Sequence, residues 1–265
     1  MHEIERHGDV TRIRLWSRLG AHVGYDVSVY ETRGILIDTA FPRAAGEMRR
    51  LVTERRPRGA VVTHWHEDHA GNAPLLARLG VPLCLAPATL ALLRERPAIR
   101  LYRRAVWGRP APFPDEHQAL AEPALALVPT PGHTPDHHVV WDAERRTLFS
   151  GDLWLGVRAR LMHHDEDPRA IVQSLRAAAA LGPERMFDAH RGAVTHPVRA
   201  IAARVAFLEE TIGAIERAVA AGRSDGAIVR EVLEGEESVA LLSAGEYARR
   251  NLVRAVRRSA AGTAA

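Results

Sequence analysis

The sequence predicts a protein of the α/β or α+β class, because short apolar runs alternate with helical stretches along most of the chain. Residues 59–63 form an apolar, β-branched run, which is typical of a buried strand. After residue 196 the pattern indicates helices alone. We therefore expect a mixed domain over residues 1–196 and a helical extension over residues 197–265.

The predicted elements follow from the spacing of apolar residues. Residues 10–16 and 23–30 alternate apolar and polar side chains, as half-buried strands do. Further strands are predicted at residues 34–38, 59–63, 81–85, 125–128, 139–141, 147–149 and 185–188. Helices are predicted at residues 42–56, 70–79, 168–181, 197–221, 225–233 and 244–259, with helical stretches from residue 88 to about residue 107.

The composition is ordinary for a globular protein, with 46% hydrophobic and 26% charged residues. No apolar run approaches the roughly 18–20 residues that span a membrane. Residues 1–6 are charged and do not resemble a signal sequence, so we expect a cytoplasmic protein with no membrane association. The single cysteine, Cys84, excludes an intramolecular disulfide and a cysteine-based zinc site.

All 36 basic residues are arginine, which excludes mechanisms that need a lysine nucleophile or a Schiff base. Arginine also accounts for the sequence pI of 9.9 at a net charge of only +4, because guanidinium does not titrate below about pH 12. The pI is therefore no indication of nucleic-acid binding.

Residues 63–69, Thr-His-Trp-His-Glu-Asp-His, place three imidazoles and a carboxylate directly after a predicted strand. Imidazole and carboxylate are common ligands of first-row metals, zinc above all. In extended backbone, alternate side chains point to one side, which puts His64, His66 and Asp68 together. His69 opens the following helix, so its ring can point elsewhere. The spacing predicts a metal site; the alternative is chance clustering in a chain with 14 histidines.

Three later segments also carry ligand-type side chains just after predicted strands. They are Gly132-His133-Thr134, Gly151-Asp152 and His190. Each has glycine nearby, which permits tight turns and close backbone approach. Asp38 ends an earlier strand, and we expect it to support the site rather than bind metal.

In these motifs, and in their order, the chain resembles the metallo-β-lactamase superfamily of metal-dependent hydrolases, in particular its glyoxalase II-like and lactonase-like branch. The resemblance implies an αββα sandwich of two mixed sheets flanked by helices, with a binuclear centre at one sheet edge. It makes residues 1–196 the catalytic domain. It also implies one metal held by His64, His66 and His133, a second held by Asp68, His69 and His190, and Asp152 bridging the two. Two zinc ions are expected, with iron and manganese compatible.

The implied reaction is hydrolysis of an ester, thioester or lactone bond by a hydroxide activated at the two metals, with Asp68 as the catalytic residue that orients it and moves its proton. Asp152 disfavours β-lactam hydrolysis, because true β-lactamases of this superfamily usually lack it. A small-molecule substrate is expected, and an anionic one is compatible with the sequence. Candidate substrate-binding residues are Tyr102, Arg103, Arg104, Trp107 and Trp154. The alternative for the first four is a surface helix with a solvated basic face.

Other functions remain open from the sequence. An endoribonuclease or phosphodiesterase is suggested by the arginines of residues 249–258, although the same extension is acidic elsewhere. A mononuclear iron persulfide dioxygenase would use a similar ligand set. A non-catalytic binding module is disfavoured because every ligand position is filled. A homodimer is possible. His163 and His164 are expected to be exposed loop residues and not further metal ligands.

Overall fold

The computed structural model describes residues 1–122 and 124–262, so residues 263–265 of the predicted extension lie outside the described residues. The chain forms two compact units. The first comprises Met1–Pro129, Asp136–Asp152 and Arg185–Val194, and the second comprises Thr130–Pro135, Leu153–Glu184 and the chain from Thr195 onward. The predicted division at residue 196 remains a prediction, since the second unit also includes two earlier segments.

The strands are, in chain order, β1 (His2–His7), β2 (Val10–Leu15), β3 (Val27–Thr32), β4 (Ile35–Ile37), β5 (Gly59–Val61), β6 (Leu83–Cys84), β7 (Ala126–Pro129), β8 (His138–Asp142), β9 (Thr147–Phe149), β10 (Met162–His163), β11 (Arg185–Asp188), β12 (Gly192–Val194) and β13 (Tyr247–Ala248). The helices are α1 (Arg18–Val23), α2 (Ala45–Arg55), α3 (Ala73–Arg78), α4 (Pro87–Glu95), α5 (Leu101–Val106), α6 (Pro168–Ala180), α7 (Pro197–Ala220), α8 (Asp225–Glu231), α9 (Ser238–Leu242) and α10 (Arg249–Gly262).

The first unit contains two mixed sheets. One has the order β1-β2-β3-β4-β5-β6, antiparallel from β1 to β4 and parallel from β4 to β6. The other has the order β12-β11-β9-β8-β7 and is antiparallel except for the parallel pair β9 and β11. Parallel pairing directs the ends of β4, β5 and β6 to one edge, and those of β9 and β11 likewise.

The two faces of the first sheet pack against different partners, because successive strand residues point to opposite sides. On one face, Leu36 belongs to a core that includes Met48 of α2 and Leu76 of α3. On the other face, Ile37 belongs to a core that includes Val140 and Phe149 of the second sheet. The first unit is thus a face-to-face pair of mixed sheets with helices outside, and the predicted fold class is confirmed.

Several predicted boundaries were wrong. The strand expected at 23–30 begins at Val27, because residues 18–23 form α1. Ser17 caps that helix by accepting a hydrogen bond from Gly20 N, and Gly24 ends it in the left-handed conformation with φ of 74°. The helical stretches expected from residue 88 to about residue 107 are two helices, α4 and α5, with Pro97 between them.

The second unit is mostly helical, with β10 and β13 as an antiparallel pair. Asp167 caps α6 by accepting hydrogen bonds from the backbone of Arg169 and Ala170. The 24-residue helix α7 packs along α6 and contacts α10. Across residues 1–122 and 124–262, we find no helix that is both long enough and apolar enough to cross a membrane.

The face between the sheets offers a test of the fold. Phe149 packs its ring 5.5 Å from those of Tyr30 and Phe187, and all three are buried. Phe149→Ala should lower the free energy of unfolding by about 3–5 kcal/mol, since it leaves a cavity between two sheets. Urea denaturation followed by circular dichroism measures the change. The control Leu101→Ala, at a 78% exposed position, should stay within about 0.5 kcal/mol; equal midpoints for both variants would contradict this packing.

Candidate metal centre

The loop after β5 is held by Asp38, which follows the neighbouring strand β4. The Asp38 carboxylate accepts hydrogen bonds from Thr63 N at 2.8 Å and from Thr63 Oγ1 at 3.0 Å. Asp38 has φ of 65°, a conformation that few residues other than glycine adopt. This backbone conformation lets one carboxylate contact both Thr63 at the start of the loop and His69 at its end.

His69 lies between two carboxylates. Its Nδ1 is 2.8 Å from Asp38 Oδ2, and its Nε2 is 3.1 Å from Asp152 Oδ1. Hydrogen bonding through Nδ1 fixes the ring orientation and directs Nε2 toward the middle of the cluster. Metal-binding histidines are typically held in this way, with a carboxylate or carbonyl behind the ring. Asp38 therefore supports the site, as the sequence led us to expect.

His64, His66 and Asp152 converge in the first unit. One possible ligand atom from each lies within 4.8 Å of the others, and all three residues are buried. The His64 and His66 rings are 4.7 Å apart, as the alternation along the loop predicted. Asp152 N donates to His137 Nε2 at 3.1 Å, which aligns the backbone beside the carboxylate.

Asp68, His69 and His190 form a second set, again with one possible ligand atom each within 4.8 Å. His190 Nε2 is 3.2 Å from Asp152 Oδ1 and 3.8 Å from Asp68 Oδ2. His190 Nδ1 lies 2.6 Å from Asp26 O, which as a carbonyl can only accept, so Nδ1 carries the proton. Asp152 therefore belongs to the first set and also contacts His69 and His190 of the second set.

Gly151 and Asp188 explain how these ligands reach the site. Gly151 has φ of +51°, and a Cβ there would lie 2.7 Å from His137 Nε2. A side chain at residue 151 would therefore displace His137, which accepts the hydrogen bond from Asp152 N. Asp188 is buried and accepts hydrogen bonds from the backbone of His190 at 3.0 Å and of Arg191 at 2.8 Å. Asp188, which holds the turn that presents His190, was not among the residues predicted from the sequence.

His133 belongs to the second unit. Its Nδ1 is 2.9 Å from Glu166 Oε1, and both side chains are buried. This contact directs Nε2 away from Glu166, an orientation that is typical of metal-binding histidines. Glu166 was not among the residues predicted from the sequence. The only sign of its role was its place in the acidic run 165–167 immediately before α6.

The electrostatics of the first unit's cluster favour cations. Burial lowers the pKa of His69, but Asp152, Asp38 and Asp68 outweigh it and raise that pKa well above its usual value. Burial likewise opposes protonation of His190, yet Asp152 and Asp68 raise its pKa to about 9. Burial raises the pKa of Asp152, whereas His69 and His190 bring it well below its usual value. Buried carboxylates next to oriented imidazoles suit divalent metals, so the residues present fit such ions.

The candidate substrate residues lie in different surroundings. On α5, Tyr102 and Arg104 are half-buried, and Arg104 lines a cavity of about 330 Å³ together with Trp65 and Arg109. Trp107 is buried, with its ring 4.9 Å from that of Phe41. In the second unit, Trp154 Nε1 donates to Ala200 O at 3.2 Å.

Arg103 is not placed as the sequence led us to expect. It is buried and forms a bidentate ion pair with Glu67 of the loop after β5, residues 63–69, here called the metal loop. Arg103 Nε lies 2.6 Å from Glu67 Oε1, and Nη2 contacts Oε2. Burial and Asp68 raise the pKa of Glu67, while Arg103 opposes that rise. The guanidinium is therefore neutralised inside the protein and joins α5 to the loop, because two parallel contacts satisfy its planar fork.

Asp38→Asn tests the support of His69. Asparagine keeps the shape and tolerates the left-handed conformation, but it carries no charge to hold His69 Nδ1. We expect zinc affinity of the centre to fall by about 10–100-fold, as for other residues behind metal ligands. Competition with a chromophoric chelator measures the affinity. Asp9→Asn, in an exposed ion pair with Arg185, is the control, and equal affinities for both variants would argue against this role.

Zinc uptake by the metal-free protein should release protons at pH 7.5. The pKa of His69 is raised well above 6.5 and that of His190 to about 9, so both rings carry protons that a metal must displace. Apparent zinc affinity should therefore rise with pH, including through about pH 9, where His190 loses its proton. Calorimetry in buffers of different ionisation enthalpy counts the protons. His190→Gln should release fewer, and unchanged release from that variant would refute the assignment.

Comparisons with known proteins agree with this geometry. Residues 25–190 match the family model described as the metallo-beta-lactamase superfamily. A "Beta-lactamase-like protein 2 homolog" of Caenorhabditis elegans is 30% identical over 166 residues, which are 59% of this chain and 51% of that protein. An "Atrochrysone carboxyl ACP thioesterase" of Aspergillus fumigatus is 32% identical over 172 residues, 60% of this chain and 47% of that protein.

A "Hydroxyacylglutathione hydrolase" of Anaeromyxobacter dehalogenans is 33% identical over 143 residues, 54% of this chain and 48% of that protein. The chain thus spans about half the length of these relatives. A solved metallo-beta-lactamase family protein from Thermus thermophilus has the same fold, with a TM-score of 0.64 at 17% identity over 94% of this chain and 91% of that one. Because the family match covers residues 25–190, which is more than half of the chain and includes Asp38 and His190, this chain belongs to the metallo-β-lactamase superfamily.

Proposed function

We propose that this protein is a metal-dependent hydrolase that cleaves a thioester, ester or lactone bond in a small molecule, with the thioester favoured. The position of Asp152 carries the proposal, because its Oδ1 lies 3.1 Å from His69 Nε2 and 3.2 Å from His190 Nε2 while the residue also clusters with His64 and His66. One carboxylate so placed can serve two cations, as two-metal hydrolytic sites require. Relatives named as a thioesterase and a hydroxyacylglutathione hydrolase support the favoured bond.

The fold implies divalent metal ions, and zinc is the occupant we propose, since the donors are mostly imidazole nitrogens. In this assignment His64, His66 and His133 would hold one metal, Asp68, His69 and His190 would hold the other, and Asp152 would contribute to both. His133 is included on its motif and on the orientation that Glu166 imposes on its ring. Iron and manganese are compatible with the same donors.

Bound divalent metals would lower the pKa of water toward neutrality and polarise the scissile carbonyl. Asp152 stays ionised, because the neighbouring His69 and His190 outweigh the effect of burial on its pKa. Asp68 is the proposed proton acceptor, since its Oδ2 lies 3.8 Å from His190 Nε2 and its side chain is not fully buried. His69 and His190 are held at Nδ1, so neither ring needs to reorient during turnover.

The cavity beside the metal loop supports an anionic small-molecule substrate. Trp65 and Glu67 of the loop line it, together with Arg104 and Arg109. Its volume of about 330 Å³ lies within the range of small-molecule pockets. Glu67 is already paired with Arg103, and the other charged residues of the lining are Arg96, Arg104, Arg109 and Glu95, so the cavity keeps a net positive charge. Tyr102, Trp107 and Trp154 stay proposed contributors to the substrate's surroundings.

The test is a substrate panel with purified, zinc-loaded protein: glutathione thioesters of hydroxy acids, acyl thioesters, the matched oxygen esters, lactones and a phosphodiester. We expect thioester turnover, and we expect His66→Ala to lower kcat/KM by about 10³-fold or more, because it removes a ligand of the metal that stabilises the transition state. Metal content should fall in parallel. His117→Gln, a partly exposed histidine packed on Phe113, is the matched control and should keep full activity.

Three outcomes would contradict the proposal. Full turnover by His66→Ala would remove the centre from the reaction. Preferential cleavage of RNA or of the phosphodiester, with binding that weakens steeply with salt, would favour a nuclease. One iron per chain with oxygen uptake on a persulfide would favour a dioxygenase. Cytoplasmic location and homodimer formation stay predictions from the sequence.

A further inference from the structure

A second group of metal-competent side chains lies in the second unit and uses none of the residues assigned above. It consists of His163, His164 and Asp165, here called the His-His-Asp turn, which begins at the end of β10. One possible ligand atom from each residue lies within 4.8 Å of the others. His163 is buried, contrary to the exposed position that the sequence led us to expect, while His164 and Asp165 are exposed.

The turn brings together side chains that an extended strand would separate. Successive residues of a strand point to opposite faces, yet the His163 and His164 rings are only 4.2 Å apart. His164 Nε2 is 3.2 Å from Asp165 Oδ1, and His163 Nδ1 is 3.9 Å from Asp165 Oδ2. Ligand atoms around a tetrahedral zinc lie roughly 3.3 Å apart, as bonds of about 2.0–2.1 Å require. Small side-chain movements therefore suffice for all three to bind one ion.

The protonation of His163 also suits a metal ligand. Its Nε2 lies 3.2 Å from Glu246 Oε1, and a carboxylate oxygen accepts, so Nε2 carries the proton. Its Nδ1 accepts a long hydrogen bond of 3.3 Å from Asp165 N, which agrees with that tautomer and places the Nδ1 lone pair on the side of the turn. A metal bound at Nδ1 would replace this hydrogen bond. A buried carboxylate behind a histidine makes the ring a stronger ligand.

The backbone of the turn is fixed by residues around it. His164 N donates to Glu246 O at 3.1 Å, and Glu166 N donates to His163 O at 3.2 Å. Buried Asn251 donates to Met162 O at 3.0 Å and to Glu246 O at 2.9 Å, which joins β10 to the chain before β13. Arg258, a cation that contacts the turn, donates to the backbone carbonyl of His164. Binding an ion would therefore order little besides two exposed side chains.

We propose that the His-His-Asp turn is a structural site for a divalent transition metal, with zinc as its preferred occupant. His163 Nδ1, His164 Nε2 and a carboxylate oxygen of Asp165 are the ligands, and water completes the shell. Two imidazoles and one carboxylate favour zinc over magnesium or calcium, which prefer oxygen ligands alone. The ion would stabilise the turn that leads to Glu166, the residue hydrogen-bonded to His133. The proposal does not depend on the reaction that the protein catalyses.

The test compares the zinc content of the full-length protein with that of the double variant His164→Gln/Asp165→Asn after equilibrium dialysis. Both side chains are exposed, by 48% and 70%, so the variant should fold normally. We expect one zinc fewer per chain, measured by elemental analysis. The matched control His117→Gln/Asp115→Asn changes the same residue types in another loop and should keep the wild-type content.

Thermal unfolding supplies a second readout. Added zinc should raise the Tm of the wild type and of the control more than that of the double variant, because an ion bound only to the folded state stabilises it. Equal zinc content in the wild type and the double variant would overturn the proposal, as would an equal loss in the control. The difference between variants identifies this site whatever metal the other residues bind.

Discussion

The site depends on the balance of charge around buried carboxylates. Asp38 and Asp152 lie on opposite sides of the buried His69 ring, 2.8 Å and 3.1 Å from its two nitrogens. A buried carboxylate without a cation is costly, so this arrangement is stable only when protons or metals occupy the imidazoles. The same carboxylates raise the pKa of His69 and bring that of His190 to about 9, so both imidazoles hold protons that balance the negative charge.

The sheets satisfy this demand by ending their strands at the site. Asp38 follows β4, the loop of His64 to His69 follows β5, Asp152 follows β9, and His190 follows β11. Within each sheet a parallel pair brings two of these strand ends side by side: β4 with β5, and β9 with β11. The apolar layer of Tyr30, Phe149 and Phe187 then holds the two sheets face to face behind the ligands.

Much of this could be read from the sequence, since the alternation of His64, His66 and Asp68 is a local property of extended backbone. The fold class followed from interleaved apolar runs and from the motifs of the superfamily. What could not be read depends on tertiary contacts. Glu166 lies 33 residues from His133, and the burial of Asp188 is set by the sheets around it, so no spacing identifies either carboxylate as a support. Helix α1 was missed because Val23 to Tyr30 alternates as a strand does, whereas Ser17 and Gly24 delimit a helix. Arg103 was predicted to bind an anionic substrate, because its burial and its pairing with Glu67 depend on tertiary structure that the sequence does not reveal.

The pairing of Glu67 with Arg103 sets a limit on redesign of this protein's selectivity. Arg103 and Arg104 are neighbours on one helix, yet of the two it is Arg104 that lines the cavity. A library that randomises both would, in most members, strand a carboxylate in the protein interior, at a cost of about 3–5 kcal/mol. Since Glu67 lies between His66 and Asp68, two proposed metal ligands, the damage would extend to their loop and would be mistaken for loss of the proposed substrate recognition. Diversity is therefore better directed to Arg104 and Arg109, with residue 103 held constant.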